Sequence, residues 1–134
     1  DVDPGEKEFI QRMGIKAFSV DDVDKYGIEG VMEQTHSHLS HKENLHMSFD
    51  IDVLDPKIVP HTGTHASGGL TEAEGVFICE SMARSGRLTS MELVEVNPII
   101  QPDVPVEQTL DVCVKLIDST IQAVAAAAAE NEAQ

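Results

Sequence analysis

Basic side chains are scarce in this sequence: 9 Lys and Arg stand against 24 Asp and Glu, a formal charge of −15 at pH 7. Binding phosphates needs clustered cations, so nucleic acid and anionic membrane surfaces are poor partners. Tryptophan is absent and aromatic residues make up only 4% of the chain, so the 41% apolar fraction must build an aliphatic interior of the α/β kind. Cysteine occurs twice, at Cys79 and Cys113, each inside an apolar helical pattern. That placement reads as two buried thiols rather than a disulfide and suits a reducing compartment. No segment reads as an apolar run of membrane-spanning length, and no signal peptide is visible. What the acidity favours is the handling of cations, metal ions and guanidinium compounds among them.

The chain has 134 residues, enough for one compact domain without an internal boundary. It starts at Asp1 rather than Met and opens on the charged run DVDPGE, as a clipped or processed chain would. A short helix is expected over 7–13, stopped by Gly14, then a brief strand over 16–18. Ser19 with Asp22 three residues on offers a helix start, and that helix should run to about His38 despite Gly27 and Gly30. A strand over 45–50 ends in acid, and a long loop over 52–70 holds Pro56, Pro60, Gly63, Gly68 and Gly69. Thr71 and Glu74 form a capping-box pattern for a helix that Gly86 stops. A third strand is expected over 90–95. A last helix should run from about Val106 into the alanine run, with a frayed tail over 130–134. Its residues Leu110, Val114, Ile117, Ile121 and Val124 share one face at helical spacing and should pack on a sheet. Strands alternating with helices imply an α/β fold with a parallel sheet covered by helices on both faces, in an α/β/α arrangement. Three strands are few for such a sheet, so the chain should be a partial domain whose missing strands lie upstream.

In open parallel sheets ligands bind beyond the carboxyl ends of the strands, and this sequence places acid there. One strand ends in Asp50-Ile51-Asp52 and another in Glu95. Strand alternation would give Asp50 and Asp52 one facing, about 7 Å apart unless a turn brings them closer. Two such carboxylates repel unless a cation or a proton sits between them, and hard divalent ions such as Mn²⁺ or Mg²⁺ suit them. On spacing alone, the pair serves equally well as the start of a solvated loop with Asp55-Pro56 as its turn.

The residues also carry a resemblance. Ser48-Phe49-Asp50-Ile51-Asp52 with Asp55-Pro56, then Thr62-Gly63-Thr64, Gly68-Gly69-Leu70-Thr71 with Glu74-Gly75, and Val94-Glu95-Val96-Asn97-Pro98, are similar to the ureohydrolase family. The opening Asp1-Val2-Asp3-Pro4-Gly5-Glu6 resembles its arginase branch. The blocks stand in the family's order and span about residues 1–123. The resemblance implies the C-terminal portion of an arginase-like domain whose whole enzyme hydrolyses L-arginine to L-ornithine and urea. It does so through a hydroxide held on two Mn²⁺ ions, which attacks the guanidinium carbon. Asp50 and Asp52 match metal ligands, the first bridging both ions. Glu95 matches the carboxylate that faces the guanidinium, a planar fork of donors that a carboxylate fits. Its plainer role would be a strand-end acid paired with a lysine. Thr64 would help line that pocket, or be a turn residue. Asp3, with Asp1 and the more distant Glu6, would lie near the substrate's α-amino group, or form an acidic turn before a helix.

The resemblance further implies a homo-oligomer, a trimer, in the cytoplasm, with mitochondria the alternative. It is incomplete in places. His65 stands where the family has proline, which leaves the loop less rigid, and Ala73 where many arginases carry an arginine that pairs across subunits. His61 and His65, flanking the Thr62-Gly63-Thr64 run, read as solvated loop histidines, with a second metal role the alternative, and His36, His38 and His41 as helix-end residues. The family's remaining ligands and its acid-base histidine belong to upstream strands, and two aspartates alone cannot hold two divalent ions tightly. The rivals are an agmatinase or other guanidino hydrolase, and a non-catalytic truncated chain.

Overall fold

Acidic residues that open the chain spend their hydrogen-bonding capacity on a helix start. In the computed structural model, which describes residues 2–65 and 67–133, Asp3 caps helix α1 (Pro4–Met13). Its Oδ1 accepts from the Glu6 backbone N–H at 2.9 Å, and Glu6 Oε2 accepts from the Asp3 N–H at 2.8 Å. Proline at the first helical position loses nothing there, so the helix begins at Pro4, earlier than the expected residue 7. Gly14 ends it in the left-handed conformation, φ 66°. Helix α2 (Val20–His38) starts at Ser19 as expected, with Asp22 completing the capping box. It is not continuous: Gly27 breaks it at φ 70°, ψ 162°, a conformation open to a residue without Cβ. Residues 16–18 carry no ladder and are not a strand, because three residues without a hydrogen-bonding neighbour gain nothing from extension. His36 and His38 lie in the last turn of α2. These elements belong to the first of two compact units, residues 1–41 and 42–134, a division that no linker in the sequence announces.

The second unit is built on two parallel strands, β1 (Leu45–Asp50) and β2 (Leu88–Val94), the only sheet among the described residues. Leu45, Met47 and Phe49 are buried and alternate with exposed His46 and Ser48. The segment after β1 folds back on itself through a parallel bridge between Leu54 and Leu70. A Cβ on Gly69 would stand 2.7 Å from the Val53 carbonyl oxygen, so only glycine permits that approach. Helix α3 (Glu72–Arg84) carries the expected Thr71–Glu74 capping box, and past its C-cap Ser85 it is stopped as expected by Gly86, left-handed at φ 68°. Gly75 lies where α3 crosses the core: a Cβ there would meet Leu54, Leu116 and Phe49 side chains at 3.0, 3.4 and 3.5 Å. The parallel pair with helices is a partial α/β fold.

Helix α4 (Glu107–Glu132) packs on α3 and turns inward a different face from the one its apolar spacing suggests. Thr109, Val112, Cys113, Leu116, Thr120 and Ala123 are buried. Leu110, Val114, Ile117, Ile121 and Val124 are 40–64% exposed. Small side chains let two helices approach closely, and Thr120 hides its hydroxyl by donating to the Leu116 carbonyl at 2.7 Å. Hydropathy alone favoured the larger aliphatic face, and that expectation fails. The helix also continues through the expected frayed tail to Glu132. By length and composition it could cross a membrane, contrary to the reading that no segment is long and apolar enough. Both cysteines are free and buried, as expected, and burial raises each thiol pKa.

Leu116 has no exposed surface, so Leu116→Ala should cost about 2–5 kcal/mol in urea unfolding. Ile121, 60% exposed, should lose no more than about 0.5 kcal/mol on the same truncation. Equal losses would show that the helix packs the other way round.

Candidate active site

Parallel pairing sets the carboxyl ends of β1 and β2 side by side: Asp50 is opposite Val94, and Glu95 is the next residue. The two faces of the pair differ. Behind lies the apolar core; in front, His46 Nδ1 lies 2.8 Å from Ser90 Oγ and Ser48 Oγ donates to Glu92 Oε1 at 2.8 Å. Asp50 shares this polar side of β1 and lies at its rim.

Strand alternation does not continue to Asp52. β1 stops at Asp50, whose Oδ1 accepts from the Asp52 backbone N–H at 3.0 Å and caps a 3₁₀ turn over Ile51–Val53. The turn, not the pleat, brings the aspartates together, while Ile51 between them is fully buried and fixes the turn to the core. The Asp52 carboxyl pKa is raised above its ordinary 3.8, first by burial, then by the Asp50 charge, a hydrogen bond with Asp50 and the Glu95 charge. The charges of Asp50 and Glu95, from the two strand ends, therefore both bear on Asp52.

Glu95 is the only non-glycine residue of the described chain with positive φ, at 63°. That conformation costs a side-chain-bearing residue about 1–2 kcal/mol, so the surroundings hold it there. Asn97, two residues on, donates its N–H to the His61 carbonyl at 2.9 Å, which ties the segment after β2 to the Thr62–Thr64 loop. A Cβ on Gly63 would stand 3.9 Å from Glu95 Oε2, so glycine leaves the space beside that carboxylate open. Thr64 lies on the exposed side of the same loop.

The two loop histidines do not share a fate. His65 is exposed, and its Nε2 lies 2.9 Å from the Pro60 carbonyl oxygen, linking the loop's ends. His61 is fully buried, which overturns its reading as a solvated residue. Its ring reaches Thr109 Oγ1 and the Val104 carbonyl. Val59 and Thr62 on either side of it are buried as well. Gln108 also escaped the sequence reading; its Nε2 donates to the Lys57 and Ile58 carbonyls at 2.8 Å each.

In the first unit, Asp3 and Glu6 are brought together by their mutual capping bonds, and Asp1 lies outside the described residues. Asp3 and Glu6 line an open hollow of about 620 Å³ whose apolar wall includes Phe9, Ile10 and Ile15.

Comparison with known proteins agrees with the resemblance. The family model described as the arginase family matches residues 1–122. The chain belongs to the arginase family. Neurospora crassa arginase is 52% identical over 100 residues, covering 75% of this chain and 28% of that protein. Arginase-1 of Bos taurus is 49% identical over 100 residues, covering 73% of this chain and 31% of that protein. The crystal structure of arginase from Bacillus cereus superposes with a TM-score of 0.81 at 40% identity, covering 90% of this chain and 40% of that one. This arginase-family chain therefore spans about a third of the length of the curated relatives it matches.

Asp50 and Asp52 fit a divalent ion in kind: they are hard oxygen donors, clustered against their own repulsion. They do not fit it in number, since no group of three or more His, Cys, Asp or Glu gathers to hold a metal among the described residues.

An aspartate with a raised folded pKa opposes folding once it ionises. Below 3.8 folded and unfolded chains both hold the proton and the penalty is absent; it grows to full size above the raised folded value. Asp52→Asn, which keeps a donor toward Asp50, should raise the metal-free urea midpoint at pH 7, and the gain should vanish near pH 3.8. A lowered midpoint at pH 7 would mean that favourable partners hold the carboxylate.

Proposed function

We propose that residues 1–134 are the C-terminal portion of one arginase-like α/β catalytic domain, and that the whole enzyme hydrolyses L-arginine to L-ornithine and urea with manganese. The observation carrying this reading is the meeting of Asp50, Asp52 and Glu95 at one sheet rim, beside a loop that glycine keeps open. Asp50 and Asp52 would give carboxylate oxygens to Mn²⁺. When bound, the ions supply positive charge that makes a water acidic enough to act as a nucleophile near neutral pH. Further ligands come from the part of an arginase fold that this chain does not span.

Glu95 binds the substrate. Its carboxylate accepts two parallel N–H bonds from the guanidinium and orients the central carbon toward the two aspartates. Its constrained backbone keeps that aim without reorganisation when the substrate arrives. Thr64 lines the approach from the loop. By the family resemblance, Asp3, with Asp1 and Glu6, is assigned to the substrate's α-amino group. The assembly is a homo-oligomer, a trimer in the family, although Ala73 is exposed at the position where an arginine would pair across subunits. The cytoplasm is the expected location.

A chimera tests the reading. With these residues in place of the homologous stretch of Neurospora crassa arginase, Mn²⁺-dependent urea release from L-arginine is expected, with agmatine turned over far more slowly. Glu95→Gln in that chimera should lower turnover by about 10²-fold or more. Faster turnover of agmatine, or activity indifferent to Glu95, would overturn it. Alone, the 134-residue chain should bind Mn²⁺ weakly and release no urea.

A further inference from the structure

The loop beside Glu95 is held from behind by one buried side chain. His61 has no exposed surface, and both of its ring nitrogens have partners. Nε2 lies 3.2 Å from the Val104 carbonyl oxygen, and Nδ1 lies 3.0 Å from Thr109 Oγ1. A carbonyl only accepts, so Nε2 carries the hydrogen; in the neutral ring Nδ1 then accepts from the Thr109 hydroxyl. Thr109 is itself fully buried in the first turn of α4. The His61 carbonyl accepts from Asn97 N–H at 2.9 Å. One residue thus joins three segments: the loop, the start of α4, and the stretch two residues past Glu95.

On its far side that junction faces the carboxylate. Gly63 follows His61 by two residues and stands beside Glu95 Oε2. Glu95 needs outside support for its left-handed backbone, and the Asn97–His61 bond supplies it from the chain immediately after. Gln108 holds Lys57 and Ile58 from the same turn of α4, so the first turn of this helix acts as the fixed wall for the loop. Replacing one partner of a buried hydrogen bond leaves the other unsatisfied, so the loop cannot shift from α4 without cost.

We propose that His61 is a positioning residue for Glu95: its ring fixes the Thr62–Thr64 loop to α4, and its carbonyl fixes the backbone that aims the carboxylate. The functional consequence rests on Glu95 facing a guanidinium; the brace rests on geometry alone.

Thr109→Val removes the hydroxyl at nearly constant volume, and Thr109→Ser restores it. In amide NMR spectra of the full 134-residue chain, Thr109→Val should move the Gly63, Glu95 and Asn97 resonances and leave the middle of β1 in place, and Thr109→Ser should bring them back. The His61 ring nitrogen shifts should report the Nε2–H tautomer in the native chain and change in Thr109→Val. L-arginine titrated against the Glu95 resonances should bind about tenfold more weakly to Thr109→Val, the scale of one lost buried hydrogen bond. His61→Ala should do the same more strongly; if it does not fold, Thr109→Val decides. A folded Thr109→Val chain that loses stability while Gly63, Glu95 and Asn97 keep their native resonances overturns the proposal. If those resonances move but L-arginine perturbs Glu95 in no variant, the brace is upheld and the guanidinium reading falls.

Discussion

Everything in the second unit depends on how closely three elements approach one another at Gly75. The lack of a side chain there lets Phe49 of β1, Leu54 of the following loop and Leu116 of α4 close around α3. Core packing at crystalline density leaves no slack for an extra carbon, so the helix layer sits at one height above the strands. That height sets the rest. It brings the first turn of α4 down to the 57–61 segment, where Gln108 and Thr109 meet their partners. It also buries Ile51 and Val59 on either side of the acidic turn.

From that packing follows the division between a rigid base and a charged rim. Apolar residues at alternate positions of β1 anchor the strand, so its last side chain, Asp50, is delivered to the edge by a rigid element. Asp52 then depends on a tight turn in which its N–H donates to Asp50, and Glu95 on a constrained backbone beside Asn97, whose N–H donates to His61. The negative charges are concentrated rather than dispersed, and together with burial this raises the Asp52 carboxyl pKa.

Much of this could be read from residues in order. The acid-ended strand, both capping boxes at Ser19 and Thr71, the buried thiols and the helix opened near residue 106 follow from local chemistry, and the structure has them. The failures share one cause, the neighbour that sequence cannot name. Residues 16–18 have no ladder partner. The aliphatic stripe of α4 is more apolar than the face that packs, yet the smaller residues match the shape of α3. His61 looks like any loop histidine until Thr109 and Val104, more than forty residues away, supply its two hydrogen bonds. Asp3 and Glu6, by contrast, read as a charged turn before a helix, whereas their Asp-Pro-Gly-Glu pattern encodes a capped helix start.

The left-handed backbone at Glu95 sets two selective demands against each other. Glycine or asparagine would occupy this conformation with less strain, and either would remove the carboxylate that stands beside Gly63. Laboratory selection for thermal endurance alone would therefore push this position away from glutamate.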